Sequence, residues 1–189
     1  MKLPLATMTE IAQRIVDFIA PYCTRIEMAG SIRRKCAECG DIDIVCIPIT
    51  HAEPSLLEEP SLISHLDSCP LQEIGKITAN GPRLKKLLVR YQGMEIAVQI
   101  NAVLPPAEWG VKLLIGTGPA EFSKRSVTSC ASSWGFLSAA HYVKDGALWR
   151  KGDNTKVSTP EEVDFLKFLH MKPEYYSPEK RDRYSNYKS

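Results

Sequence analysis

Hydrophobic and polar positions alternate most regularly in two stretches of the chain. In the first, Ile42, Ile44 and Cys46 alternate with Asp41, Asp43, Val45 and Ile47. In the second, Met94, Ile96, Val98 and Ile100 alternate with Glu95, Ala97, Gln99 and Asn101. A period of two is that of a strand with one buried face. Residues 8–20 switch to helical spacing, with Ile11, Ile15, Phe18 and Ile19 on one face, Thr9 as the expected N-cap and Pro21 as the stop. Arg25–Ala29 reads as a strand running into a turn at Gly30-Ser31. Pro48, Pro54, Pro60 and Pro70, set among Ser, Glu and His, predict an irregular connection with one short helix near Ser61–Leu66. A strand is expected to begin at Gly75–Thr78, with a turn at Asn80-Gly81-Pro82, a strand over Leu84–Tyr91 and a further turn at Gln92-Gly93.

Leu104-Pro105-Pro106 breaks the pattern and sets an expected domain boundary, with residues 1–105 before it and 106–189 after it. Beyond it, Trp109–Ile115 is an apolar helical stretch closed by Gly116-Thr117-Gly118-Pro119. A helix is predicted over Ala120–Ser133 with Gly135 as its C-cap. Lys144-Asp145-Gly146 lies between the runs Phe136–Val143 and Ala147–Arg150 and predicts a hairpin. Ser158-Thr159-Pro160-Glu161-Glu162 has the proline and acids of a helix start, with Val163, Phe165, Leu166 and Leu169 turned to a core. The last residues of the tail Lys172–Ser189 are expected to be mobile. Strands and helices in both halves predict an α+β fold.

Composition narrows the picture by exclusion. With 189 residues, one domain or two small ones can build real cores. A formal net charge of +2 forces no polyelectrolyte partner. No early apolar run has the length of a membrane span or of a signal peptide, so a cytoplasmic protein is expected, with no membrane partner. The six cysteines are scattered, which predicts reduced thiols. Cys36-x-x-Cys39 lacks the second ligand pair that a structural zinc site requires.

The chemistry gathers between Met28 and Ile47. Strand alternation puts Asp41 and Asp43 on one face, about 7 Å apart at ~3.3 Å per residue. Two carboxylates beside an apolar run repel unless a cation lies between them. Mg²⁺ suits the place, because it binds one or two carboxylates together with substrate phosphates. A bare Asp-x-Asp fits a solvated strand start equally well. The Gly30-Ser31 turn shifts the balance, since its N–H groups and hydroxyl can face an anion. Anion cradle, arginines and carboxylates within so few residues argue for a nucleoside triphosphate.

Gly30-Ser31-Ile32-Arg33-Arg34 followed by Gly40-Asp41-Ile42-Asp43 resembles the GS…DxD signature of polymerase β-type nucleotidyltransferases. The double arginine resembles the family X DNA polymerases in particular. Trp109-Gly110 and Leu113–Gly118 resemble the segment that opens their nucleotide-side domain, and the likeness spans roughly residues 8–182. It implies a palm domain with a mixed sheet over 1–105 and a small α/β thumb over 106–189. It also implies a minimal form without lyase or helix-hairpin-helix domains, as in small viral, phage or bacterial members. The implied activity is transfer of a nucleotide from a dNTP or NTP to the 3′-hydroxyl of a DNA primer, as in gap filling, with two Mg²⁺ ions or Mn²⁺ in their place. Gly30, Ser31, Arg33, Arg34, Thr117 and Gly118 would hold the nucleotide, and Asp41 and Asp43 the metals. Arg83, Lys85, Lys86, Lys124 and the run Lys180-Arg181-Asp182-Arg183 are candidate contacts to primer, template or gapped duplex.

The chain also departs from the family. The third acid of the resemblance falls on Gln99, an amide that cannot take a proton from the attacking hydroxyl. Loss of a general base is worth about 10²–10⁴ in rate. Glu95 shares the face of Gln99 but lies about 13 Å away along the strand, and is the possible substitute. Gly116 stands where relatives place a bulky or basic residue beside the sugar, and Ser123 where some place a base-contacting asparagine. The resembled turn carries a cis peptide after its glycine, and proline at 119 lowers that cost from roughly 3 kcal/mol to under ~1. Two alternatives follow: transfer to RNA, protein or a small molecule, or an impaired site kept for binding nucleotide or nucleic acid.

Overall fold

A computed structural model of the protein describes residues 2–53, 61–132 and 134–182. In chain order its first half contains α1 (Leu5–Ile19), β1 (Cys23–Met28), α2 (Gly30–Arg33), β2 (Asp41–Pro48), β3 (Lys76–Asn80), β4 (Leu84–Tyr91) and β5 (Met94–Ala102). The two alternating stretches become neighbours: β2 and β5 run parallel at the centre of a mixed five-stranded sheet, ordered β1-β2-β5-β4-β3. Every other adjacent pair is antiparallel.

The period-two pattern decides the two faces of this sheet. Ile42, Ile44 and Cys46 of β2, Val98 and Ile100 of β5 and Leu87 of β4 point inward and are buried. They pack against Met8, Ile11, Ala12, Ile15 and Ile19 of α1. Full burial of an aliphatic side chain contributes about 1.5–3 kcal/mol, and this layer leaves the opposite face free to carry polar groups. Helix α1 begins earlier than its periodicity suggests. Its N-cap is Pro4, not Thr9, because Leu3-Pro4 pairs with Glu38-Cys39 and the Leu5 N–H donates to the Ala37 carbonyl at 3.0 Å.

One local expectation fails in the connection between β2 and β3. In place of a helix near Ser61–Leu66, Ser61–Ser64 forms a strand antiparallel to Thr50–Glu53, followed by a single 3-10 turn at His65–Asp67. Backbone pairing with an available edge outweighs weak local helix preference over so short a segment. On β4, Lys85 also departs from the sequence expectation. Its parity along β4 is that of buried Leu87, so its side chain turns into the core and is 1% exposed. Its Nζ donates to Asp67 at 2.6 Å and to Asn80 at 2.7 Å, which makes it a structural cation and removes it from the nucleic-acid candidates.

The second half contains α3 (Trp109–Thr117), α4 (Ala120–Val127), the three-stranded sheet β6 (His141–Lys144), β7 (Ala147–Arg150) and β8 (Lys156–Val157), and α5 (Glu162–Phe168). Asp145 and Gly146 both have positive φ, 52° and 76°, as a tight hairpin between twisted strands requires. Helix α4 stops at Val127, short of the predicted Ser133. The Thr128 hydroxyl donates to the Lys124 carbonyl, and Phe136 and Leu137 fold back to donate to Arg125 and Thr128. Gly135 is not a helix cap: it lies against Thr128, where a Cβ would come within 2.0 Å of the carbonyl oxygen.

Each half has its own apolar cluster. One draws on residues up to Leu104, the other on residues from Val111 onward, and a smaller group of Ala29, Val45, Val103, Trp109 and Leu113 joins them. Charges reinforce the joint. Arg25 of β1 makes a bidentate pair with Glu161 at 2.6 and 2.7 Å while its guanidinium stacks 4.1 Å from the centre of the Trp109 ring. Residues 183–189, including Arg183 and the tail expected to be mobile, lie outside the described residues, as do Pro54 and Pro60. Among the described residues no helix is long and apolar enough to cross a membrane.

Candidate active site

Strand β1 ends at Met28, and the Ala29 N–H donates to the Asp43 carbonyl at 2.7 Å. That bond turns the chain over the start of β2. Gly30 follows at φ +57°, and a Cβ there would lie 2.2 Å from Asp43 Oδ2. The expected turn is thus one short helical turn, α2, and it needs glycine for two reasons: backbone conformation and room for a carboxylate. Ser31 comes next, with a buried hydroxyl that has no hydrogen-bond partner among the described residues.

Gly30, Ser31 and Arg34 share a cavity of about 340 Å³ with Asp41, Asp43 and Asn101. Its opposite wall is the end of α3 and the turn after it, from Ile115 to Gly118. The Gly118–Pro119 peptide is cis, as is Pro105–Pro106. Asp43 is pushed up to about 6, first by burial and then by the negative charge of Asp41, with Arg34 opposing both. A carboxylate so placed favours a cation that offsets the repulsion.

These residues fit a divalent cation bound with a phosphate. Asp41 and Asp43 offer oxygens on one face, Gly30 leaves room for the second of them, and Ser31 lines the same cavity with a buried hydroxyl that has no partner among the described residues. Among the described residues no group of three or more His, Cys, Asp or Glu side chains is placed to hold a metal. Cys36 and Cys39 are free thiols, the first half-buried and the second buried.

The two adjacent arginines part company. Arg34 lines the cavity, and Gly118, at φ +72°, keeps clear of its guanidinium: a Cβ would stand 3.0 Å from Nη1. Its Nε donates to both Asp182 oxygens at 3.1 Å, and Nη1 donates to the Thr117 carbonyl. Arg33 points elsewhere. It donates to the Thr117 hydroxyl at 2.7 Å and pairs with Glu162 at 2.8 Å. Thr117 is fully buried. Arg33 and the Thr117 side chain therefore hold the two halves together, and Arg33 is not among the residues that line the cavity, where the resemblance had put it. Thr117 itself lines the cavity.

Register settles where the β5 side chains stand. Asp43 pairs with Gln99, and Asp41 with Ala97, so Gln99 lies directly beside the second carboxylate on the same face. Glu95 falls two residues before the level of Asp41, where it faces Arg90 of β4 at 3.9 Å. That placement removes it as a substitute third acid. Asn101, two residues past Gln99 on the same face, also lines the cavity; the alternation that places Gln99 places it too.

Two of the remaining basic candidates, Arg83 and Arg181, are engaged in the fold. Arg83 donates to the carbonyls of Leu104 and Pro105 at 2.8 and 2.6 Å and so braces the link between the halves. Arg181 is fully buried on Glu162. Lys86 and Lys124 are exposed, the latter with its Nζ 5.2 Å from the centre of the Trp134 ring. Gly116 has a packing role, since a Cβ would meet the Val45 side chain at 2.8 Å. Ser123 is buried and donates to the Ile115 carbonyl at 2.9 Å, so it does not present its hydroxyl to a base.

Gly30→Ala is expected to displace the Asp43 carboxylate and to cost about 1–3 kcal/mol from backbone strain at positive φ. Urea melting combined with Mn²⁺ binding tests this; unchanged Mn²⁺ affinity would show that Asp43 tolerates the methyl group.

The fold and cavity define a mixed α+β protein with a two-carboxylate, one-arginine cleft between its halves. Compared with protein families and with curated proteins, the chain matches none.

Proposed function

We propose that the cleft binds a nucleoside triphosphate and that the protein is a nucleotidyltransferase acting on a DNA primer end. The observation that carries this reading is the meeting of Gly30, Ser31 and Arg34 with Asp41 and Asp43 in one cavity, faced by the Gly116–Gly118 turn. The cleft combines hydrogen-bond donors for phosphate, carboxylates for Mg²⁺ or Mn²⁺, and a wall for sugar and base.

In this reading Arg34 donates to the phosphates, exchanging Asp182 for a phosphate oxygen. Ser31, whose hydroxyl has no partner among the described residues, supplies it to the same group. Asp41 and Asp43 would hold a divalent cation, which when bound would offset the negative charge of the phosphates. Gly118 leaves room for the Arg34 guanidinium at the wall that faces the carboxylates. The exposed Lys86 and Lys124 contribute to contact with the nucleic-acid backbone.

Single-nucleotide incorporation on a labelled gapped duplex tests the proposal, with Mg²⁺ and with Mn²⁺, against Asp41→Asn. Incorporation that Asp41→Asn lowers by about 10²–10³ is the expected result. Label transferred to RNA or protein but never to DNA would redirect the acceptor. Binding without any transfer would favour the second reading, a nucleotide-binding protein, for which Gln99 beside Asp43 is the specific observation.

A further inference from the structure

The same strand register carries a conclusion about the metal content of the cleft. A row of side chains crosses the polar face of the sheet through three neighbouring strands. Asp43 on β2 is paired with Gln99 on β5, and Gln99 with Lys86 on β4. Strands are spaced by about 4.8 Å, so Lys86 starts roughly 10 Å from Asp43, within range of a long side chain reaching back over Gln99. Lys86 is exposed and makes no side-chain bond or ion pair among the described residues.

The two sides of Asp43 are therefore unlike. On the α2 side are Gly30, the unpartnered Ser31 hydroxyl and Arg34, a setting for phosphate with a cation beneath it. On the β5 side are a neutral amide and, one strand further, an ammonium group. A second divalent cation placed about 4 Å from the first needs added negative charge to offset the repulsion between the ions. This side adds none. Among the described residues no third Asp, Glu, His or Cys joins the pair in a metal-binding group, and Glu95 is turned to Arg90.

We propose, resting on the reading of the cleft as a triphosphate site, that the protein binds its nucleoside triphosphate with one divalent cation and not two, and that Gln99 and Lys86 together set this number. The ligand class is then a triphosphate carrying a single Mg²⁺ or Mn²⁺ ion. The position beside the attacking hydroxyl is served by the Gln99 carbonyl oxygen and by solvent. Lys86 acts on the charge of that position and is a positioning residue for whatever anion lies there, a phosphate of the acceptor strand included.

The experiment counts ions, not turnover. The full chain is saturated with a non-hydrolysable α,β-methylene deoxynucleoside triphosphate, and protein-retained Mn²⁺ is measured by ultrafiltration at rising free Mn²⁺. One ion per chain is expected for the wild type over the range in which Gln99→Asp retains two. Lys86→Met is expected to tighten the weak second site by about 10-fold, in keeping with what neighbouring groups do to metal affinity. Because Lys86 is exposed, this variant tests the idea even if Gln99→Asp fails to fold. Two ions held by the wild type at the affinity of Gln99→Asp would overturn the inference and leave the triphosphate site standing. A single ion in both variants with nucleotide bound would also overturn it. Failure of the wild type to retain any triphosphate would instead remove the underlying reading, and this inference with it.

Discussion

Asp43→Asn is expected to lose cation-dependent triphosphate binding by about 10²–10³ and, in the absence of divalent cations, to gain stability above pH 6. The two effects share one cause. Asp43 is raised to about 6 by burial and by Asp41, so the folded chain holds a proton that the unfolded chain, at the ordinary value of 3.8, has released. Stability therefore falls as pH rises from about 4 to about 6, because the folded state binds more protons across that window. Two pKa units correspond to at most about 3 kcal/mol, and the partial solvent access of the carboxylate reduces this. Above pH 6 the wild type retains the full penalty and the neutral amide does not. Urea melts at pH 4 and pH 8 give the direct test: variant and wild type should coincide at pH 4 and separate at pH 8. Added Mn²⁺ should close the gap at pH 8 by stabilising the wild type alone. A variant less stable than the wild type at pH 8 without metal would show that Asp43 is held by favourable partners and not by constraint.

Glu162→Gln is expected to destabilise the chain by about 3–5 kcal/mol, the usual cost of removing one partner from a buried ion pair. Glu162, at the first residue of α5, is 7% exposed and receives Arg181 at 2.7 Å and Arg33 at 2.8 Å. Arg181 is fully buried and also donates to the Tyr175 carbonyl at 2.9 Å. Glutamine keeps the volume and one acceptor but leaves two guanidinium groups facing each other without a carboxylate. For a chain of this size each kcal/mol moves Tm by about 2–4 °C, so calorimetry should record a fall of at least 6 °C or so. The loss should be felt across the joint as well, because Arg33 of α2 is one of the two partners. A shift under about 1 kcal/mol would mean that water reaches the cluster and screens it.

These two residues mark the limits of local reading. Asp41 and Asp43 were visible in the sequence because strand period is a local property: any chain with that alternation exposes those side chains on one face. Glu162 appeared only as an acid at a helix start. Its role depends on Arg33, 129 residues away, and on Arg181, 19 residues on. The neighbours Arg33 and Arg34 look interchangeable in sequence, yet one bridges the halves through Thr117 and Glu162 while the other faces the cavity. Among the lysines, parity along β4 already contained the answer, since Lys85 shares the phase of buried Leu87 and Lys86 the phase of the exposed face. Read as a basic pair they looked alike; read as strand positions they are opposite.

The chain by itself determined its elements of regular period, the α+β class and the carboxylate pair beside a glycine-serine turn, because each depends on residues within one turn or one strand of each other. It also determined that Gln99 would share the face of Asn101. Tertiary structure alone decided that Gln99 sits level with Asp43 while Glu95 does not, since register between β2 and β5 follows from packing both strands against α1. It likewise decided which cations are free, because a buried charge takes the partner that three-dimensional packing brings to it, and that partner lies far off in sequence.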